Sequence, residues 1–256
     1  MGPPSECQAA RKLITGRLVR NPASGVNLPR VVVGERRYLS HEQVHALATE
    51  CGPYRLIVLF LAYTGVRFGE LAALRFGKLH LLRRRATISE AVTEVNGTLV
   101  WGTPKGHERR DVPIPRFLVD ELAEKVAGKA HDELVFPGTR GSALRVRVVR
   151  RGGFDAAIER LSLAPMHPHE LRHTAASLAI ASGADVKVVQ QMLGHKSATM
   201  TLDLYGHLFG DRLDEVADAL DVAARAAGGS PVCPRRAVVD LDVKRRSATG
   251  QGIQCL

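Results

Sequence analysis

Between Tyr54 and Tyr63 the chain reads Tyr-Arg-Leu-Ile-Val-Leu-Phe-Leu-Ala-Tyr, apolar on nearly every face of a helix. A helix with one apolar stripe can lie on a surface, but one without a polar side has to be enclosed. The segment therefore predicts the buried centre of a helical domain. It is much too short to span a bilayer, and no cationic stretch near the N-terminus leads into a long apolar one. Neither membrane insertion nor secretion is expected.

Local punctuation supplies the elements around that helix. Ser40 suits an N-cap for a helix through Val44, Leu47 and Ala48, with Glu42 and Gln43 as acceptors in the first turn. Gly65 suits the C-cap of the apolar helix, which puts Arg67 at the start of another containing Glu70, Leu71 and Leu74. After Leu82 the period changes. Two strands, Ala91 to Val95 and Thr98 to Trp101, flank Asn96-Gly97, which fits a type I′ hairpin turn. A third strand, Arg110 to Pro115, is expected across Pro104-Lys105-Gly106, leaving Lys105 on a mobile hairpin tip. Residues 116 to 127 and the basic stretch from Ala143 to Leu161, interrupted at Gly152-Gly153, read as helices.

The second half continues in helices. Pro168 suits a first helical position, and on a wheel Leu171, Ala175, Leu178 and Ala179 share one side while His169, Arg172 and His173 cluster opposite. Gly183 closes that helix and Gly194 closes the next, so His195 projects from a helix C-terminus; Ser197 caps a short helix ending at Tyr205. Leu213, Val216, Ala217 and Leu220 form an apolar stripe on a terminal helix. Beyond Gly228 the composition is basic and irregular, which predicts disorder.

Of the 256 residues, 45% are hydrophobic and 24% charged, an ordinary globular balance with room for a good-sized core. The net charge of +10 favours an anionic partner, and nucleic acid is the first candidate. Cys7, Cys51, Cys233 and Cys255 are scattered without zinc or disulfide spacing, which predicts reduced thiols in a cytoplasm.

Arg67, His169, Arg172, His195 and Tyr205 together are suited to attack on a phosphodiester. A phenol is a poor nucleophile at neutral pH unless cations stabilise the charge growing on phosphorus and a basic group removes its proton. Singly, each residue has a plainer reading. Arg67 can pair with Glu70 across a surface helix, Tyr205 can be a packing residue with its hydroxyl satisfied, and His167, His169 and His173 can bind a metal, although without a nearby cysteine or suitably spaced carboxylate.

Four blocks in order narrow the choice. Thr64-Gly65-Val66-Arg67-Phe68-Gly69-Glu70-Leu71, His169-Glu170-Leu171-Arg172-His173-Thr174, Leu193-Gly194-His195 and Tyr205 ten residues later resemble the signature blocks of the tyrosine recombinases, the phage integrase family. Thr103-Pro104-Lys105 followed by Arg109 to Pro115 is similar to the family's hairpin with its catalytic lysine. The resemblance covers residues 36 to 220. It implies a fold that is mainly α with a small three-stranded antiparallel β-sheet (α+β), and site-specific DNA recombination as the activity. It also implies a division into residues 1–35, the remnant of a core-binding domain and linker; residues 36–227, the catalytic domain; and a basic tail at 228–256.

The resemblance assigns roles as follows. Arg67 and Arg172 grip non-bridging oxygens of the scissile phosphate bidentately, His195 adds a donor, and His169 assists proton movement at Tyr205. Lys105 protonates the departing 5′ oxygen, a role for which Arg109 competes, and Glu70 orients Arg67 or a neighbouring backbone. The intermediate is a 3′-phosphotyrosine, which conserves bond energy, so no cofactor is implied and a magnesium ion is redundant. The partners are double-stranded DNA at attachment-type sites and further copies of the chain in a tetrameric synapse, in the cytoplasm with no membrane. Two other readings stay open: DNA binding without catalysis, since Ala184 to Tyr205 also has a helix-turn-helix shape, and a type IB topoisomerase.

Overall fold

The computed structural model describes residues 37–104, 109–210 and 213–227. The expectations for residues 1–35, for Lys105 and for the tail beyond Gly228 lie outside them.

Helix α1 (His41–Glu50) starts at Ser40, whose hydroxyl accepts the Gln43 N–H while the Gln43 side chain accepts the Ser40 N–H. This reciprocal bonding satisfies two of the donors that a helix start leaves open. Helix α2 (Arg55–Thr64) is the apolar segment, and Ile57 to Ala62 are buried in unbroken succession. Gly65 ends it with φ 66°, and a Cβ there would lie 2.8 Å from the Leu193 side chain. Backbone conformation and close approach thus both demand glycine. Helix α3 (Phe68–Ala72) follows directly, with Arg67 as its N-cap residue.

The sheet is small, antiparallel and three-stranded, but its membership differs from the expected one. Strand β1 (Leu79–His80) pairs with β2 (Arg85–Ile88), and β2 pairs with β5 (Arg110–Pro113). The hairpin of β3 (Ala91–Val95) and β4 (Thr98–Gly102) forms a separate two-stranded ribbon that packs on α3. Its turn residues Asn96 and Gly97 have φ 50° and 80°, the type I′ pattern. Ala86, Thr87 and Ile88 of β2 are all buried, so the strand shows no alternation along the sequence.

Helix α4 (Val119–Val126), α5 (Val146–Val149) and α6 (Asp155–Arg160) come next, the last two separated by the expected interruption at Gly152-Gly153. Helix α7 (Leu171–Ala181) packs against α2. Helix α8 (Val186–Leu193) is capped by the Asp185 side chain and ends at Gly194, φ 67°. Helix α9 (Ala198–Tyr205), capped by Ser197, packs on α8, and α10 (Leu213–Ala226) follows.

Ala73, Val92, Leu134 and Ala143 form one small apolar cluster, and two others bear on the site. The larger joins α1, α2, α4 and the three-stranded sheet, and the smaller gathers Ala175, Ala176, Ile180, Val189, Met192, Leu193 and Tyr205. Helix α7 belongs to both, through Leu171 and Leu178 on one side and Ala175, Ala176 and Ile180 on the other. No described helix is long and apolar enough to cross a membrane.

Candidate active site

The short turn between α2 and α3 presents Arg67, and Glu70 fixes it. The Glu70 carboxylate accepts the Arg67 backbone N–H at 2.8 Å and its Nη1 at 3.0 Å. The same carboxylate takes a bidentate pair from Arg110 on β5, Nη1 at 3.0 Å and Nη2 at 2.6 Å. Glu70 is 1% exposed. Burial pushes its pKa up, but hydrogen bonds and charge from Arg110, then Arg67, outweigh that and hold it below the usual carboxylate value. Arg110 Nε donates to the Met192 carbonyl at 3.1 Å, which ties the sheet to the last turn of α8. Sequence reasoning quoted Arg110 as part of a block and gave it no role. Its partner lies 40 residues away, and no local pattern reports such a contact.

Arg172 is 5% exposed, an unusual burial for a cation. Its Nη1 donates to the Gly65 carbonyl and its Nη2 to the Leu193 carbonyl. The guanidinium is thereby clamped between the turn before Arg67 and the turn before His195. Burial first, then the nearby charge of Arg67, lower its pKa to about 10, so it stays protonated at neutral pH. A guanidinium has five N–H donors, so two backbone bonds set its plane and leave capacity for an anion.

The other arm is aromatic. Tyr205 is 1% exposed, and its hydroxyl lies 2.8 Å from Nδ1 of His173 on α7. Its ring is parallel to that of His195, 3° between planes and 6.3 Å between centroids. Nδ1 of His195 is 3.0 Å from the Thr201 hydroxyl. Its backbone is held on both sides, since the His195 N–H donates to the Gln190 carbonyl and the Gln190 amide to the His195 carbonyl. Burial first, followed by Arg172 and Arg67, pushes the pKa of His195 down to about 4. At neutral pH it is an uncharged imidazole. When the Thr201 hydroxyl donates to Nδ1, the ring proton sits on Nε2, a ready donor to an anion.

His169 stands one turn before His173, edge to face at 5.9 Å. The covered part of its ring, then the charges of Arg172 and Arg67, hold its pKa below the ordinary histidine value. The Tyr205 hydroxyl also meets His173, a contact the sequence did not announce, because a helical wheel fixes which face a residue occupies but not how far its ring reaches.

Arg67, His169, Arg172, His195 and Tyr205 are thus drawn together from four segments. Open cavities flank them: one of about 460 Å³ lined by Pro104, Arg110, Lys187, His195 and Lys196, and one of about 610 Å³ lined by Arg67, Thr103, Arg145 and His169. Pro104 is the last described residue before Lys105, and it opens onto the His195 side. Among the described residues no three His, Cys, Asp or Glu side chains are grouped to hold a metal ion.

A mainly helical domain with a small antiparallel sheet and a clustered Arg-Arg-His-Tyr set defines a phosphoryl-transfer class, and comparison with known proteins places it. Residues 37–212 match the phage integrase family. A tyrosine recombinase XerC of Xylella fastidiosa is 30% identical over 218 residues, covering 82% of this chain and 69% of the relative. XerC of Corynebacterium efficiens is 30% identical over 212 residues, covering 80% and 61%. Among solved structures, the Tn1549 transposon integrase in complex with a circular intermediate DNA aligns with TM-score 0.65 at 17% identity, covering 85% of this chain and 76% of that one. XerA recombinase aligns with TM-score 0.54 at 24% identity, covering 89% and 74%. The chain belongs to the phage integrase family, the tyrosine-type site-specific recombinases.

Proposed function

We propose that this chain cleaves and rejoins double-stranded DNA at specific sites through a 3′-phosphotyrosine on Tyr205. Arg67 and Arg172 bind the non-bridging oxygens of the scissile phosphate, His195 donates a further hydrogen bond, and His169, whose pKa its burial and the charges of Arg172 and Arg67 lower, assists proton movement at Tyr205. Lys105 delivers the proton to the departing 5′ oxygen. The domain that does this spans residues 36–227.

One observation carries the reading: the Arg172 guanidinium bridges the Gly65 and Leu193 carbonyls. Through that clamp the segments bearing Arg67, Arg172 and His195 converge, with Tyr205 stacked on His195. A tyrosine beside the buried Arg172 and an uncharged His195 suits a nucleophile better than it suits DNA binding alone. Cationic groups fixed before the substrate arrives need no reorganisation as charge develops, which is where electrostatic catalysis gains most.

The strand exchange serves the integration or excision of a mobile element, in line with the family description and the likeness to a transposon integrase. The identity to XerC recombinases favours a second reading, a Xer-type role on the host's own DNA. Copies of the chain assemble on DNA into a tetrameric synapse; the exposure of Val216, Ala217 and Leu220 on α10 supports self-association. The work is done in the cytoplasm, on DNA.

A nicked suicide substrate tests the chemistry. Wild-type protein should become covalently joined to the 3′ phosphate, and Tyr205→Phe should bind the same DNA and give no adduct. Tight binding by the wild type with no adduct would leave a DNA-binding protein without catalysis.

A further inference from the structure

We propose that the Glu94 carboxylate is an internal competitor for DNA: it occupies Arg145 and Arg147 as a backbone phosphate would, and a duplex must displace it to gain their contacts. This rests on the reading of double-stranded DNA as the substrate. Three observations carry it. Glu94, on β3, pairs with Nη1 of Arg145 and lies 3.6 Å from Nη1 of Arg147, so a single carboxylate serves both arginines at the start of α5. Glu94 and Arg145 line the cavity of about 610 Å³ that also takes in Arg67 and His169, which puts the pair in the space assigned to the DNA backbone. The contact is open to solvent: the side chains of Glu94 and Arg145 are each 26% exposed and that of Arg147 is 57% exposed.

The two halves of the contact differ in freedom. Glu94 is held by its strand, because the ribbon sits so close to α3 that a Cβ on Gly69 would lie 2.3 Å from the Val92 carbonyl oxygen. Arg145 also reaches the ribbon, where its Nη1 donates to the Gly97 carbonyl at 2.8 Å. Its long side chain can turn away from both acceptors, whereas the carboxylate cannot follow it toward a duplex. Carboxylate and phosphate offer a guanidinium the same forked pair of acceptor oxygens, so the exchange needs no new arrangement of donors. Ion pairs this exposed are individually weak. The result is restraint rather than a block. With a net charge of +10 the chain is drawn to any duplex, and Glu94 lowers the affinity according to the fraction of time it keeps the arginines occupied. Binding to unrelated DNA thereby stays readily reversible.

Fluorescence anisotropy with a labelled duplex of arbitrary sequence, titrated with the full-length protein over a series of salt concentrations, tests the competition. Binding by the wild type at low salt is the control for the underlying reading, and its absence overturns that reading along with the proposal. Given binding, Glu94→Gln, which keeps an acceptor oxygen but no charge, should tighten it about 3- to 10-fold, with Glu94→Ala at least as effective. A misfolded variant cannot produce a gain. Affinity unchanged or lowered in both variants, with the wild type binding, overturns this proposal alone. In an Arg145→Ala, Arg147→Ala background the gain should disappear; a gain that persists there comes from plain repulsion between carboxylate and phosphate, and overturns the competition. The salt dependence supplies the last readout. If phosphate displaces Glu94, wild type and Glu94→Gln make the same contacts on DNA, and their slopes of log affinity against log salt coincide. A slope steeper in Glu94→Gln by about 0.9 for each added phosphate contact would mean that the carboxylate keeps its arginines in the complex, which overturns displacement.

Discussion

Arg67, Glu70 and Arg110 stand against the large core, backed by α2 and the three-stranded sheet, whereas Tyr205 stands on a small cluster whose members come only from α7, α8 and α9. The cation side is cross-linked by charge as well as packing: one buried carboxylate takes bonds from two arginines, and one of those arginines reaches on to the Met192 carbonyl. The tyrosine side is held by stacking, a capped short helix and two histidine contacts. The difference assigns separate duties. A template for the phosphate gains from rigidity, because a misplaced donor loses transition-state stabilisation. A nucleophile 1% exposed has to be uncovered before it meets DNA, and a smaller foundation allows that at lower cost.

The largest expected effect comes from breaking the template. Glu70→Ala leaves Arg110, whose side chain is 10% exposed, without its carboxylate and releases Arg67. Removing one partner of a buried ion pair costs about 3 to 5 kcal/mol, which for a domain of this size lowers Tm by roughly 10 °C. Thermal unfolding checks that number. Cleavage should fall with it, and a variant that melts near the wild type would show that the cation side is not the rigid partner.

A smaller effect is expected where the two sides touch. Gly194 has φ 67°, and a Cβ there would lie 2.9 Å from Cδ and 3.0 Å from Nε of Arg110. Gly194→Ala should cost about 1–2 kcal/mol for the left-handed backbone alone. It also forces Arg110 aside and shifts His195, which follows in the chain. Single-turnover cleavage should drop on the order of 10- to 100-fold, as expected for a donor moved by up to an ångström. A loss of stability with cleavage unchanged would uncouple the His195 turn from Arg110.

Sequence legibility divides along similar lines. Ser40, Gly65, Gly194 and Ser197 each mark a helix end by chemistry local to a few residues, and each does so in the structure. The residues that gather at the site were legible through the order of the blocks. Strand partnership was not: β5 pairs with Arg85–Ile88, a strand buried without alternation behind a run of arginines, and nothing local announces it. The Arg110–Glu70 pair and the His173–Tyr205 contact were hidden for the same reason, because both join residues far apart in the chain through side-chain reach.

The smallest effect is a slope against pH, and it probes the tyrosine side alone. His195 in the folded protein takes its proton only near pH 4, whereas an unfolded histidine does so near 6.5. Between those values the unfolded chain binds more protons, so stability is fully present above about pH 6.5 and is lost as pH falls toward 4. His169, also shifted down, acts in the same direction. Glu70 does not interfere, because its lowered pKa makes its contribution fail only below the ordinary carboxylate value of 4.5. Urea unfolding between pH 7 and 5 should therefore show stability declining with acidity in the wild type and declining less in His195→Gln. Equal slopes would mean that His195 titrates normally, and then neither its burial nor the charges of Arg172 and Arg67 act on it.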